Sequence, residues 1–413
     1  MIINRREFIK STGACMGAAA ALSAPKVSFA GPVMAKKLIY ITCPGGLDGF
    51  TLTPPINDPA YYSLRSQFAV PRPDDNSAPV DRRALYLSDT FGLHPRVPEM
   101  YGMFQRGEMT LFPNVNWARY GYNTGSHFNE IRRAENGMDR WDNGSTSLAG
   151  WVNRLLTVLE GENNPGAIAV TGNPVLPDVL HGPEVTAVYM PPGQTTSQQT
   201  DMRLRQVMGG RTLGRVYSTG FDRRDAMNRA LNGANVNFNM FSNFWGAHVQ
   251  AQIAGILLAS DQQYAPSISI LNIEGWDWHT YENNGWGYPA ARLAHLSLAL
   301  GTLVQTLKDR NMFQNTLIVV ASEFGRPCAH NGVGTDHGHG QTGIIITGNP
   351  LLMAQPGQGI VLNGNYPGFA SRDQWNCIRD NGRYQNIIRQ YVAAHFNLTQ
   401  AEIDFVLPSL NQA

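Results

Sequence analysis

Three short runs of apolar residues constrain this chain more than anything else in it: Lys37-Leu38-Ile39-Tyr40-Ile41-Thr42-Cys43, Thr316-Leu317-Ile318-Val319-Val320-Ala321 and Gly343-Ile344-Ile345-Ile346-Thr347. Each is rich in β-branched residues and continuously apolar, without an apolar/polar alternation. A strand of that kind must be covered on both faces, which is the situation in a mainly parallel sheet sandwiched by helices. Further strands are expected at 109–115, 167–171 and 267–273. Helices are expected from Pro95 to Arg106, over 126–136, from Gly150 onward, and at 221–232, 245–259, 289–308 and 383–395. Thr399-x-x-Glu402 has the form of a capping box. Leu293, Leu296, Leu300, Leu303, Val304 and Leu307 recur at helical spacing. Strands alternate with long helices, so the expected fold is a three-layer α/β/α sandwich, with α+β layering as the rival. Two stretches interrupt the alternation. Residues 51–90 are rich in Pro, Asp, Arg and Ser and read as an irregular insertion, and the polar stretch 190–220 reads as a surface insertion or a lid.

The first thirty residues read as an address. Arg5-Arg6 is followed by Phe8, Ile9 and Lys10, then by an Ala/Gly-rich run from Gly13 to Ala24, and then by Ser28-Phe29-Ala30. This is the pattern of a twin-arginine secretory signal, and it implies contact with the twin-arginine export machinery and a periplasmic or secreted protein. The expected organisation is a signal peptide over 1–30 and one α/β/α domain over 31–413. The whole chain has 32 Lys and Arg against 31 Asp and Glu. Arg5, Arg6, Lys10, Lys26 and Glu7 leave with the signal, so the remainder is slightly acidic. That balance speaks against a nucleic-acid partner. No later stretch is long and apolar enough to suggest a stable membrane span. Cys43, Cys328 and Cys377 remain after cleavage, which is no disulfide framework, although one bridge among them is open.

In an open α/β sheet, ligands gather beyond the carboxyl ends of the strands. Asp48 follows the first strand. Asp277 and His279 follow the 267–273 strand. Glu323 and Arg326 follow the 316–321 strand. Asp336, His337 and His339 precede the 343–347 strand, and Ser126-His127 lies some way beyond the 109–115 strand. If these segments converge, their oxygens and nitrogens suffice for one or two divalent ions, with Zn, Ca and Mn all open. Each piece also has a plainer reading. Asp48 suits an Asx-turn, Asp277 with His279 a structural pair, Glu323 with Arg326 a local ion pair, and Ser126 a helix cap that His127 supports. G-x-G-x-x-G, the Walker loop and G-x-S-x-G are all absent from the sequence.

Several motifs in order, GGLDGF at 45–50, DPAYYSLR at 58–65, FGLHPRVPEM at 91–100, SHFNE at 126–130, GWVNRLL at 150–156, WDWHT at 276–280, SEFGR at 322–326 and GTDHGHG at 334–340, resemble the DUF1501 family of exported bacterial proteins, placed in the alkaline phosphatase and sulfatase superfamily. The resemblance implies an alkaline phosphatase-like α/β/α fold and metal-assisted hydrolysis of phosphate or sulfate esters. It would set metal ligands at Asp48, Asp277, His279, Glu323, Asp336 and His337, and a nucleophile near Ser126. The superfamily's Asp-His pair falls on Glu323 and Phe324, and phenylalanine cannot ligate a metal. The sulfatase pattern C-x-P-x-R is absent. With Arg326 or His339 steadying the leaving group, the expected activity is hydrolysis of a small anionic ester. The alternative is a non-catalytic binding or scaffold protein on the same fold, taking a glycan-like ligand on Trp276, Trp278 and Trp286.

Export in a host with an active twin-arginine pathway should yield a mature chain beginning at Gly31. Changing both Arg5 and Arg6 to Lys should leave full-length precursor in the cytoplasm, as read by intact mass and fractionation. Unchanged processing of that variant would remove the twin-arginine reading.

Overall fold

The computed structural model describes residues 36–138, 149–159, 166–172, 175–184, 186–189, 222, 224–260, 265–280, 286–362 and 364–409. The leader at 1–30 and the polar stretch 190–220 lie outside the described residues.

The predicted apolar runs form the middle of a seven-stranded sheet. β1 (Lys37–Thr42) lies between β7 (Ile268–Asn272) and β8 (Thr316–Ala321), parallel to both, with Leu38 opposite Ile268 and Leu317. β5 (Ala167–Ala169) and β6 (Thr186–Val188) extend the sheet in parallel beyond β7. On the other side β9 (Gln341–Thr347) runs antiparallel to β8 and to the edge strand β4 (Met109–Val115). The spatial order is β4-β9-β8-β1-β7-β5-β6, so β9 alone among these strands is reversed. Every residue of β4, β8 and β9 is buried, which explains the absence of alternation in their sequences.

Helices cover both faces. Leu38, Tyr40, Ile268, Ile270, Leu317, Val319 and Ile345 share one apolar cluster with α5 (Trp151–Leu159), α8 (Tyr384–Phe396) and α9 (Gln400–Val406), through Trp151, Leu155, Ile388 and Val406. The predicted capping box at Thr399 and Glu402 opens α9. On the opposite face α6 (Ala247–Leu258) lies on β7 and packs along α7 (Tyr288–Asp309), whose Leu293, Leu296, Leu300, Leu303 and Leu307 are all buried. The result is a three-layer α/β/α sandwich with a mainly parallel sheet and insertions.

The 51–90 insertion is more ordered than its composition suggests. It begins at α1 (Gly49–Leu52), carries α2 (Pro59–Arg65), and closes on the small hairpin of β2 (Leu85–Tyr86) and β3 (Gly92–Leu93). Local caps build it. Asp58 caps α2 through the Ala60 amide with Pro59 at the first helical position. Tyr61, Phe50 and Phe369 then form a separate apolar cluster over it. Helix α3 (Pro98–Gln105) starts at Pro98, three residues later than the predicted start, because proline is accepted in a first turn and not inside one. All three cysteines of the described chain are buried free thiols. Among the described residues, no helix is long and apolar enough to cross a membrane.

Helix α4 (His127–Asn136) carries a buried Glu135, whose pKa burial pushes up to about 8, helped by the charge of Asp178 and opposed by amides of Val179 and Asp178. A carboxyl raised in the folded state contributes stability that is complete below its unfolded pKa and is lost as pH climbs toward the folded value. Unfolding of the wild type should therefore become easier from about pH 4.5 to about pH 8, by up to about 1.4 kcal/mol per pH unit. Glu135→Gln should lack this slope, and parallel pH profiles for the two proteins in chemical denaturation would contradict it.

Candidate metal centre

At the carboxyl edge of the sheet, the loops after β1, β7 and β8 meet the segment that leads into β9. Because β9 is reversed, its leading loop arrives at the same edge as the trailing loops of its neighbours. Arg326 fastens them. It is completely buried, and its guanidinium donates to the carbonyls of Gly46 (2.9 Å), Thr335 (3.1 Å), Trp276 (2.7 Å) and Gly45. One side chain thus ties three loops together. Two glycines let them close up. Gly45 has φ +113°, and a Cβ there would stand 2.4 Å from the Asp277 amide; at Gly334 it would stand 2.6 Å from the His279 carbonyl carbon.

Into this frame four side chains converge. His127 Nε2 lies 3.0 Å from His337 Nε2 and 3.3 Å from Asp277 Oδ2, and His337 Nε2 lies 3.1 Å from Asp277 Oδ1. His127, Asp277 and His337 form a cluster able to chelate a metal ion. His279 stands beside it, with its Nε2 3.1 Å from both His337 Nε2 and Asp277 Oδ1.

Each imidazole is aimed from behind. His337 Nδ1 donates to the Gly125 carbonyl at 2.6 Å, His127 Nδ1 to Glu323 Oε1 at 2.6 Å, and His279 Nδ1 to Asp336 Oδ1 at 3.2 Å. With the proton on Nδ1, each Nε2 presents a lone pair to the same small space. Lone pairs 3.0–3.1 Å apart need a cation or a proton between them, and about 3.3 Å is the spacing of neighbouring ligands around a tetrahedral ion with bonds of about 2.0–2.1 Å. The donor set therefore fits a metal, and the carboxylates behind the rings are the usual outer partners of metal-binding histidines. Phe324 packs its ring 4.8 Å from His127 and 4.9 Å from His337, so the residue that cannot ligate a metal instead walls the imidazoles.

Electrostatics favour the ligating state of Asp277 and set a proton in competition with a metal at His127. Burial works against the charge of Asp277, but hydrogen bonds from Arg326 and His337 outweigh it and hold the carboxyl down to about 2. His127 is raised, mainly by its hydrogen bond to Glu323, with burial opposing. The Asp277 side chain is 47% exposed and those of His127 and His337 are 24% and 25% exposed, so the centre is open to a ligand from solvent.

The sequence-predicted residues divide. Asp277 and His337 stand in the cluster, and His279 stands beside it. Glu323 and Asp336 sit behind it, holding His127 and His279. Glu323 Oε1 also accepts the Gly45 amide, and its Oε2 accepts the Ser322 hydroxyl. Asp48, expected as a ligand, is consumed elsewhere. It caps α1 through the amides of Phe50 and Thr51 and forms a buried two-pronged pair with Arg65, at 2.5 and 3.2 Å. Strong neighbouring interactions with Arg65 overcome its burial and keep it ionised. Ser126 occupies the cap position of α4 without a side-chain capping bond, beside His127. Arg326, expected to steady a leaving group, spends donors on backbone carbonyls and reaches the centre at Asp277, 3.1 Å away. His339 turns aside to the edge of Tyr120, and burial lowers its pKa. Trp276 and Trp278 are buried and Trp286 lies against His94 and Arg82, so the three make no common stacking surface. His127 is the candidate ligand that sequence reasoning left open between binding and supporting the cap. Its position on the first turn of the helix following β4 is the one signal that pointed to it.

Residues 35–349 match the model of DUF1501, a protein of unknown function. The chain belongs to this family. No curated protein matches it. Among solved structures, this DUF1501 protein is similar to the crystal structure of Ps i-CgsB in complex with k-i-k-neocarrahexaose. Identity is 13% over 89% of this chain and 74% of that one, with a TM-score of 0.35. It is likewise similar to the crystal structure of Ps i-CgsB, at 13% identity over 78% and 67% and a TM-score of 0.31. At that level the likeness adds nothing to the architecture described above.

The purified protein should bind a divalent ion such as Zn²⁺ in equilibrium dialysis. His127→Ala and His337→Ala should lose it, and Glu323→Gln should bind it about 10–100-fold more weakly. Wild-type affinity in the His337→Ala variant would dissolve the centre.

Proposed function

We propose that the protein is an exported, metal-dependent hydrolase of a phosphate or sulfate ester, on an alkaline phosphatase-like fold. The observation that carries this reading is the convergence of three imidazole nitrogens and a carboxylate on one solvent-open point at the carboxyl edge of an α/β/α sheet. His127, Asp277 and His337 are the ligands, with His279 as a fourth, and Zn²⁺ suits a set dominated by imidazole. A bound ion of this kind supplies Lewis acidity toward an ester oxygen and toward water.

The remaining steps belong to the chain's own residues. Glu323, Asp336 and the Gly125 carbonyl keep the protons of the three imidazoles on Nδ1, so that Nε2 stays available. Arg326 holds Asp277 as a carboxylate and immobilises the loops, which fixes the geometry before substrate arrives. Phe324 shields one side of the imidazoles from water. Ser126, half-buried and adjacent to His127, is the candidate nucleophile.

Assays with 4-nitrophenyl phosphate and 4-nitrophenyl sulfate after loading with Zn²⁺, Mn²⁺ or Ca²⁺ test the proposal. Turnover should appear with at least one ion, fall to background in Asp277→Ala, and vanish on chelation. Ser126→Ala separates a serine nucleophile from direct attack by water. Stoichiometric metal without turnover of either ester would instead favour the non-catalytic binding reading.

A further inference from the structure

A second concavity, separate from the metal ligands, opens at the same edge of the sheet. Its volume is about 420 Å³, within the range of small-ligand sites. Thr171 and Gly172, just beyond β5, form one wall, and Asn272 at the end of β7, with Ile273 and Glu274 just beyond it, forms another. The first turn of α6 and the side chain of Arg292 complete it. The loop that leaves β7 therefore borders this cavity at 272–274 and bears metal-centre residues at 277 and 279.

Arg292 is the unusual member. It is 1% exposed, and its two terminal nitrogens donate to the carbonyls of Phe244 (2.8 Å) and Glu274. The guanidinium lies 4.0 Å above the Phe244 ring, and its Nε is buried without a hydrogen-bond partner. No ion pair joins it to a carboxylate among the described residues. Two other buried arginines at this edge do have one: Arg65 has Asp48 and Arg326 has Asp277. A buried cation held by carbonyl dipoles and an aromatic face, with the Glu274 carboxylate acting on it without an ion-pair contact, is costly, and burial lowers its pKa. A second positive feature points the same way. The amino end of α6, a 12-residue helix capped by Gly246 with no side-chain cap, opens on this cavity at Ala247. Asn243 and Gln250 add amide groups to the lining. Glu274 is an exposed carboxylate on the same lining, held by Asn272 at 3.3 Å, and it opposes the positive features without pairing with Arg292.

We propose that this cavity is an anion subsite that receives a sulfate or phosphate group, free or carried by a larger ligand, against Arg292 and the amino end of α6. The inference rests on the cavity alone and stands or falls independently of the hydrolytic reading. Together with that reading it would make the ligand one that carries two anionic groups.

Isothermal titration of the purified protein with sodium sulfate and with sodium phosphate, at ionic strength held constant with sodium chloride, tests it. One saturable site is expected. Asn243→Asp places a negative charge on the lining at an exposed position while keeping the acceptor for the Trp245 amide. It should weaken binding at least about tenfold, and so should Ser242→Asp, whose side is also exposed. His337→Ala should bind the anion as the wild type does. Titration with glucose 6-phosphate distinguishes the sources. Tighter binding than inorganic phosphate assigns the site to a substituent, and equal binding assigns it to the free anion. Absence of saturable binding, unchanged affinity in both aspartate variants, or loss of binding in His337→Ala would overturn the proposal.

Discussion

The buried guanidinium of Arg326 is the contact on which the site depends. A backbone loop is expensive to bury, because each amide and carbonyl needs a partner, and four segments crowd together at this edge of the sheet. Arg326 resolves much of that demand at once, by donating to Gly45, Gly46, Trp276 and Thr335. Its planar fork holds several acceptors in fixed directions, which a lysine could not reproduce. The same group then touches Asp277, so the element that organises the loops also sets the charge of a candidate ligand.

Around that clamp the histidines are arranged by a single rule. Each ring has an acceptor behind Nδ1 and shares a common space in front of Nε2. The three acceptors differ in kind: a carbonyl for His337, a buried carboxylate for His127 and an exposed carboxylate for His279. Orientation therefore does not rest on one interaction, and Phe324 adds a steric wall. Arg292 presents the opposite case. Its charge is surrounded by carbonyls and rings and lacks the carboxylate that balances Arg65 and Arg326, and it lines open space.

The sheet was legible from the sequence because burial on two faces leaves a direct mark in composition. The runs at 37–43, 316–321 and 343–347 correspond to β1, β8 and β9, and the leucine spacing after residue 289 corresponds to α7. The insertion at 51–90 was less legible, since its order comes from caps such as Asp58 and from Tyr61 packing on Phe369, a partner far along the chain. Asp48 and Glu323 show the limit for the site. Both are acids just beyond a strand, and nothing local distinguishes the one that meets Arg65 from the one that backs His127. His127 was left open for the same reason, since a histidine after a serine at a helix start looks alike whether it faces solvent or a metal.

What the amino-acid order determined by itself was which segments must be buried and which polar residues follow them, because hydrophobic pattern and strand propensity act over a few neighbouring residues. What only the tertiary structure decided was which of those polar residues meet. His127, Asp277 and His337 are separated by up to 210 positions, and they come together through the reversal of β9, the strand order and the close approach of the loops at Gly45 and Gly334. Those are properties of chain packing in three dimensions, and no local pattern encodes them.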